Sequence, residues 1–206
     1  MGQFLTLLFI FIISFPGEII AAERKAVVEF SADVVRTIPG KKDKVSRGRM
    51  FVSRYGIRTE GKKNSKPVVF IFRPKKKIVW TLFPEEKLYE ERLDFVVKRP
   101  PLPMDHDSPC KTDKGVVCQL LGSIVLNERN VEHWLISRRG PQKFTPIVQL
   151  WIDRKLNVAL RETFLDGMTI ELQNLQEKAQ NIKLFVVPGE YKKKPLVKKA
   201  AKAIKK

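Results

Sequence analysis

The chain has 206 residues, 43% of them hydrophobic, and a formal charge of +18. That is enough apolar material for one good-sized core or two small domains, so the chain is not disordered as a whole. The charge points to polyanionic partners: nucleic acid, anionic lipid or acidic polysaccharide.

The N-terminus narrows that choice. Phe4 to Phe15 (FLTLLFIFIISF) is an apolar run of signal-peptide length, broken by Pro16-Gly17, with a small-residue cleavage point at Ala21-Ala22. Met1-Gly2-Gln3 lacks the usual basic residue, so an uncleaved anchor over Phe4–Ala22 stays open beside a secretory signal over residues 1–22. Cleavage removes one Glu and no Lys or Arg, so the mature chain is more basic still. Export disfavours nucleic acid and favours an anionic membrane surface. A nucleic-acid-binding protein with a retained anchor is the reading that cytoplasmic retention would revive.

Ala26 to Ile38 alternates apolar and polar residues as a half-buried strand, and Pro39 to Asp43 is a turn. Val45 to Tyr55 continues as a strand with Gly48 at a bulge or bend. Ile57–Glu60 pairs back, and Gly61 to Lys66 reads as a flexible basic loop.

Val68 to Tyr89 (VVFIFRPKKKIVWTLFPEEKLY) then holds three runs separated by turns at Pro74 and Pro84, which predicts an antiparallel meander. Two of the runs, Val68–Phe72 and Ile78–Phe83, are apolar at nearly every position. A strand with one wet face should alternate, so both faces here need cover, from protein or from something bound.

Leu93 to Pro109 carries four prolines and excludes regular strands; Leu93–Lys98 could form a short helical turn. Cys110 and Cys118 follow in SPCKTDKGVVCQL. In an oxidising compartment they read as a structural disulfide closing a short loop, since a redox or metal pair would need closer spacing or further ligands.

Strands are predicted at Cys118–Leu126, Val131–Ser137, Ile147–Ile152, Leu156–Phe164, Met168–Leu175 and Ile182–Val186, with Asp166-Gly167 as a hairpin signal. Ten or eleven short strands at even spacing argue for an antiparallel all-β fold curling into a barrel, half-barrel or sandwich. The tail from Lys192 to Lys206 has eight Lys and no acid, either a frayed solvated end or a basic amphipathic helix.

The chain resembles the outer-membrane lipoprotein carrier (LolA/LolB-like) superfamily and its periplasmic relatives. The residues that carry this are the signal-like N-terminus, Phe30-Ser31-Ala32, Gly48-Arg49-Met50-Phe51-Val52, Gly56-Ile57-Arg58-Thr59-Glu60, and Ile78-Val79-Trp80-Thr81-Leu82 with Pro84 and Tyr89. Then come Cys110, Cys118, Leu121-Gly122, Trp134, and Pro188-Gly189-Glu190-Tyr191. The resemblance implies a curved antiparallel sheet over residues 23–191, an incomplete β-barrel with minor α content, with a lid over a greasy concave face that holds acyl chains. Long lid helices are not readable here, and the extreme basic charge and Lys tail depart from the pattern.

No catalytic constellation is apparent, and no enzyme activity, cofactor or metal is expected. Asp105-His106-Asp107 is adjacent on the chain, where side chains alternate sides and rarely chelate one ion; His133 beside Trp134 reads as packed or exposed. Phe70, Phe72, Trp80, Leu82, Trp134 and Trp151 are candidates to line an apolar cavity, against plain core packing. Lys41, Lys42, Lys62, Lys63, Lys66, Lys75, Lys76 and Lys77 fall in or beside turns and would form a basic rim if those turns share one edge. Lys62, Lys63, Lys75, Lys76 and Lys77, with Lys192, Lys193 and Lys194 of the tail, are the candidate anionic-membrane contacts. The expected function is a periplasmic, non-enzymatic carrier of a lipid or lipoprotein acyl chain docking on anionic membrane. The alternative is an envelope interaction protein whose sheet is self-covered and which binds another envelope protein.

Overall fold

The computed structural model describes residues 27–40, 44–93, 109–110, 115–141 and 143–195. The signal-like segment 1–22, Lys41 and Lys42, most of the Leu93–Pro109 stretch with His106, and the tail beyond residue 195 lie outside them.

Among the described residues, twelve strands form one curved open sheet. In chain order they are β1 (Phe30–Ile38), β2 (Lys44–Ser53), β3 (Gly56–Lys63), β4 (Lys66–Arg73), β5 (Ile78–Phe83), β6 (Leu88–Leu93), β7 (Val116–Leu126), β8 (Arg129–Arg139), β9 (Phe144–Asp153), β10 (Val158–Phe164), β11 (Thr169–Glu177) and β12 (Lys192–Lys193). Their order across the sheet is β12-β6-β5-β4-β3-β2-β1-β11-β10-β9-β8-β7. Two antiparallel meanders, β1–β6 and β7–β11, are therefore joined by the pairing of β1 with β11. Strands β6 and β7 are consecutive in sequence yet lie toward opposite edges of the sheet.

The meander predicted from Val68–Tyr89 is present as β4, β5 and β6. Pro74–Lys76 makes a single 3-10 turn closed by Lys77 in the left-handed region, its N–H donating to the Pro74 carbonyl at 3.1 Å. The predicted loop at Gly61–Lys66 is instead the end of a hairpin. Strand β3 runs through to Lys63, and Asn64 and Ser65 turn the chain at φ 51° and 66°. Two successive positive φ values make a turn whose twist matches that of the strands, and asparagine tolerates this region better than most residues. The Asp166-Gly167 signal is also realised: Gly167 sits at φ +80°, its N–H donates to the Phe164 carbonyl at 2.9 Å, and Asp166 Oδ1 accepts from the Met168 N–H at 3.0 Å.

One predicted strand is corrected. Ile182–Phe185 is a 3-10 turn, capped by the Asn181 side chain accepting from the Lys183 N–H at 2.9 Å. The apolar run does not pair in the sheet; it lies against β3 and β4. There it crosses the face of the sheet like a strap before Lys192–Lys193 pair in parallel with Leu88 and Tyr89 of β6.

The core divides into two clusters. Register places Phe30, Val52, Ile57 and Phe72 on one face, and Leu150 and Trp134 share it through β1, β11 and β10. These residues belong to or pack against the larger cluster, so we call this the major face. On the opposite face Phe51, Val69, Ile71 and Leu82 close around Phe185, which is fully buried. Burying one such aromatic contributes about 1.5–3 kcal/mol. Arg58 Nη1 and Arg73 Nη1 hold the strap by donating to the Leu184 and Phe185 carbonyls at 3.0 and 2.8 Å.

The predicted disulfide forms between Cys110 and Cys118, with Cα atoms 5.7 Å apart. It ties Cys110 to β7, and both cysteines pack against the larger core.

Candidate functional site

The six candidate apolar-site residues divide between the faces. Phe70 and Phe72 are neighbours on the major face, opposite Thr59 and Ile57 on β3 and opposite Thr81 and Val79 on β5. Trp134 shares that face but stands on β8, with six strands between. Trp80 and Leu82 point to the strap face and Trp151 to the same side of β9.

Phe70 stands out. It is 43% exposed, while its neighbours Val69 and Ile71, pointing the other way, are buried. The two-faced apolar strands read from the sequence thus have one face sealed by the chain's own C-terminal strap and one that leaves an aromatic ring open. Around Phe70 the major face presents the partly exposed Met50, Thr59, Phe72, Val79 and Thr81. At its margin Lys194 Nζ lies 4.7 Å from the Phe83 ring centre and 3.2 Å from Glu90 Oε1.

Trp134 is buried, and its Nε1 donates to Glu132 Oε2 at 2.8 Å. Arg154 donates to the same carboxylate and stands over the indole, and its hydrogen bond, more than that of Trp134, holds the Glu132 carboxyl below its ordinary range. Leu82 is core, 1% exposed. Trp80 Nε1 donates to Glu91 Oε2 at 2.9 Å. Trp151 stacks on His133 with ring centres 4.4 Å apart, and Arg161 lies over its ring at 5.8 Å. His133 also shares a hydrogen bond with Gln149, and Arg161 pairs with Glu171. This row of stacked rings and cations across β8–β11 was not read from the sequence, because its members come from four strands whose register is set only on folding.

The lysines do not make one rim. Strand directions put Lys62, Lys63 and Lys66 at one end of the sheet, with the β1–β2, β5–β6, β8–β9 and β10–β11 turns. Lys75, Lys76 and Lys77 lie at the other end. Lys193 pairs with Glu91 at 2.6 Å and Lys194 with Glu90, which ties these two tail residues to β6; Lys192 is exposed. The Lys193 ammonium holds the Glu91 carboxyl below its ordinary range, with the Trp80 hydrogen bond as second cause.

The two ends differ in charge. At the end holding Lys75–Lys77, the ion pairs Arg54–Glu29, Arg129–Asp153, Arg129–Glu177, Lys155–Glu177 and Arg154–Glu132 neutralise most charges. The end holding Lys62 and Lys63 also carries Lys44, Arg138, Arg139 and Lys143, and among the described residues its one ion pair is Lys66–Glu86 at 3.9 Å. Among the described residues no group of three or more His, Cys, Asp or Glu could hold a metal ion, and no helix is long and apolar enough to cross a membrane.

No family model and no curated protein matches the chain. Solved structures similar to it include an uncharacterised conserved protein from Thermus thermophilus, 16% identical over 81% of this chain and 89% of that one, TM-score 0.49. Another is the MucA/MucB complex of Pseudomonas aeruginosa, 13% identical over 79% of this chain and 56% of that one, TM-score 0.48. A LolA superfamily protein from Nitrosomonas europaea is 8% identical over 77% of this chain and 90% of that one, TM-score 0.36. None of these reaches a TM-score of 0.5, and no ligand, partner or activity passes from them to this chain.

Proposed function

We propose that this is a non-enzymatic envelope protein that holds an acyl chain, of a lipid or a lipoprotein, against the major face at Phe70 and Phe72, and that it docks on anionic membrane. The observation that carries this is the asymmetry of β4 and β5. The strap seals one apolar face, while Phe70 stays open in mid-strand on the other, where an acyl chain would remove its ring from water. Trp134, buried on the same face with six strands between, would support the sheet rather than line the open patch. Trp80, Leu82 and Trp151 would shape the sheet from behind. A signal over residues 1–22 and the Cys110–Cys118 disulfide support export to an oxidising compartment. The mature domain would begin at residue 23.

Native mass spectrometry of the mature protein, before and after organic extraction, tests this directly. A mass excess lost on extraction and matching a phospholipid or acylated peptide is expected. A clean apo mass, together with failure of the delipidated protein to take up a fluorescent fatty acid, would sink the carrier reading.

A second reading has its own support. Gln119 to Val125 of edge strand β7 is exposed throughout and uncharged. Edge strands are usually blunted by charge or proline, so an open one suits addition of a partner's strand. In that reading the protein is an envelope interaction module, and cross-linking through β7 to a co-purifying envelope protein supports it.

A further inference from the structure

Strand tips at one end of the sheet line up. Gly167, in the β10–β11 turn, lies against Pro39: a Cβ placed on it would sit 3.0 Å from Pro39 Cγ. On its other side the same turn borders an open depression whose walls include Arg138 and Thr145 of the β8–β9 hairpin with Phe164 and Leu165. The tips of β1–β2, β10–β11 and β8–β9 are therefore neighbours along one rim.

Each tip presents an apolar side chain to solvent. Ile38 is 38% exposed, Leu165 67% and Phe144 57%. Two of them sit on or beside turns fixed by hydrogen bonds: the Gly167 N–H to the Phe164 carbonyl, and the Gly140 N–H to the Lys143 carbonyl at 3.0 Å. Single exposed apolar residues are ordinary on protein surfaces. Three in a row, two of them on firm turns, at the end whose described cations are largely unpaired, form a surface with a preferred partner.

We propose that this rim is the membrane-docking surface, with Ile38, Leu165 and Phe144 entering the headgroup region of an anionic phospholipid bilayer and Lys44, Arg139 and Lys143 meeting its phosphates. Apolar tips set among cations match the two layers of such an interface, hydrocarbon below and anionic charge at the surface. A nucleic acid would use the cations but leave the apolar tips wet, and that favours the bilayer. The inference rests on the docking part of the proposed function and sharpens it: docking runs through this end, and neither Lys75–Lys77 nor Lys193–Lys194 is needed.

The test places an environment-sensitive bimane probe on the full chain at Leu165→Cys, and separately at Lys76→Cys on the opposite end. With vesicles of phosphatidylglycerol and phosphatidylethanolamine the probe at 165 shifts to the blue, while that at 76 does not. With phosphatidylcholine vesicles neither shifts. The double variant Phe144→Ser, Leu165→Ser lowers partitioning about tenfold, and added salt weakens the binding of the parent protein. A shift at 76 equal to that at 165 overturns the proposal. So does a double variant that partitions like the parent, or a chain that binds DNA or an acidic protein but not vesicles. Fatty-acid uptake in vesicle-free buffer reports separately on the carrier reading: uptake without docking removes only this inference, and docking without uptake removes only the carrier.

Discussion

Arg73 donates from Nη1 to the carbonyl of Phe185 at 2.8 Å, joining the end of β4 to a residue 112 positions later. That bond fixes the strap where Phe185 fills the space between Phe51, Val69, Ile71 and Leu82. Phe185→Ala is expected to cost about 3–5 kcal/mol, the range for removing a buried aromatic ring. Urea denaturation measures the loss, and faster hydrogen exchange in β4 and β5 would locate it.

Phe70 and Leu82 are both apolar and sit on adjacent strands, yet opposite outcomes are expected from them. Leu82→Ala empties a core position and should cost about 2–5 kcal/mol. Phe70→Ala removes a half-exposed ring, should cost less than about 1 kcal/mol, and should weaken fatty-acid binding about tenfold by loss of apolar contact. Thermal melts beside a fluorescent fatty-acid titration separate the two. Equal binding loss from both substitutions would place the acyl site elsewhere.

Gly48 and Gly61 flank the point where β2 and β3 stop pairing, just beyond Arg49↔Glu60. A Cβ on Gly48 would stand 2.3 Å from the Glu60 carbonyl oxygen, which is backbone and cannot step aside, whereas one on Gly61 meets nothing within 4 Å. Gly48→Ala should therefore destabilise by about 1–3 kcal/mol, and Gly61→Ala should be close to neutral. A pair of denaturation curves decides it.

Acid should loosen the strap. Glu91, which ties the segment following the strap to β6 through Lys193, is held below the ordinary carboxylate range, chiefly by the hydrogen bond from Lys193. Glu132 and Glu177 are depressed likewise by Arg154 and Lys155, but away from the strap. For a carboxyl depressed in the folded state, the stabilisation is complete above its unfolded value near 4.5 and is lost as pH falls through the folded one. Limited proteolysis after Lys192–Lys194 should thus be slow at neutral pH and rise once pH drops below the ordinary carboxylate range. A cleavage rate that changes between pH 6 and 8 instead would contradict this origin.

Strand existence was readable from residue pattern, and so was the disulfide. Facing was not. Phe70 and Trp80 are both even-numbered, but the four residues from Pro74 to Lys77 pair Arg73 with Ile78, and that pairing turns even positions of β5 away from those of β4. The same rule parts Trp134 from Trp151, because Trp134 pairs with Leu150. Ile182–Val186 looked like a strand because a short apolar run has the same composition whether it pairs or packs; the Asn181 cap was the available sign of a turn. The open edge of β7 was hidden for a related reason: an uncharged apolar run reads as a central strand until the sheet order is known.

The pairing of β1 with β11 also has a kinetic side. Each meander closes through short turns, but the bond from Asn174 to Asp33 at the seam spans 141 residues. Loop closure over such a distance comes at an entropic cost that neighbouring hairpins do not face. The two meanders are thus expected to acquire protection from hydrogen exchange first and the seam last. Until the seam closes, β1 and β11 are two further unpaired edges, so the refolding chain is most open to aggregation in that interval.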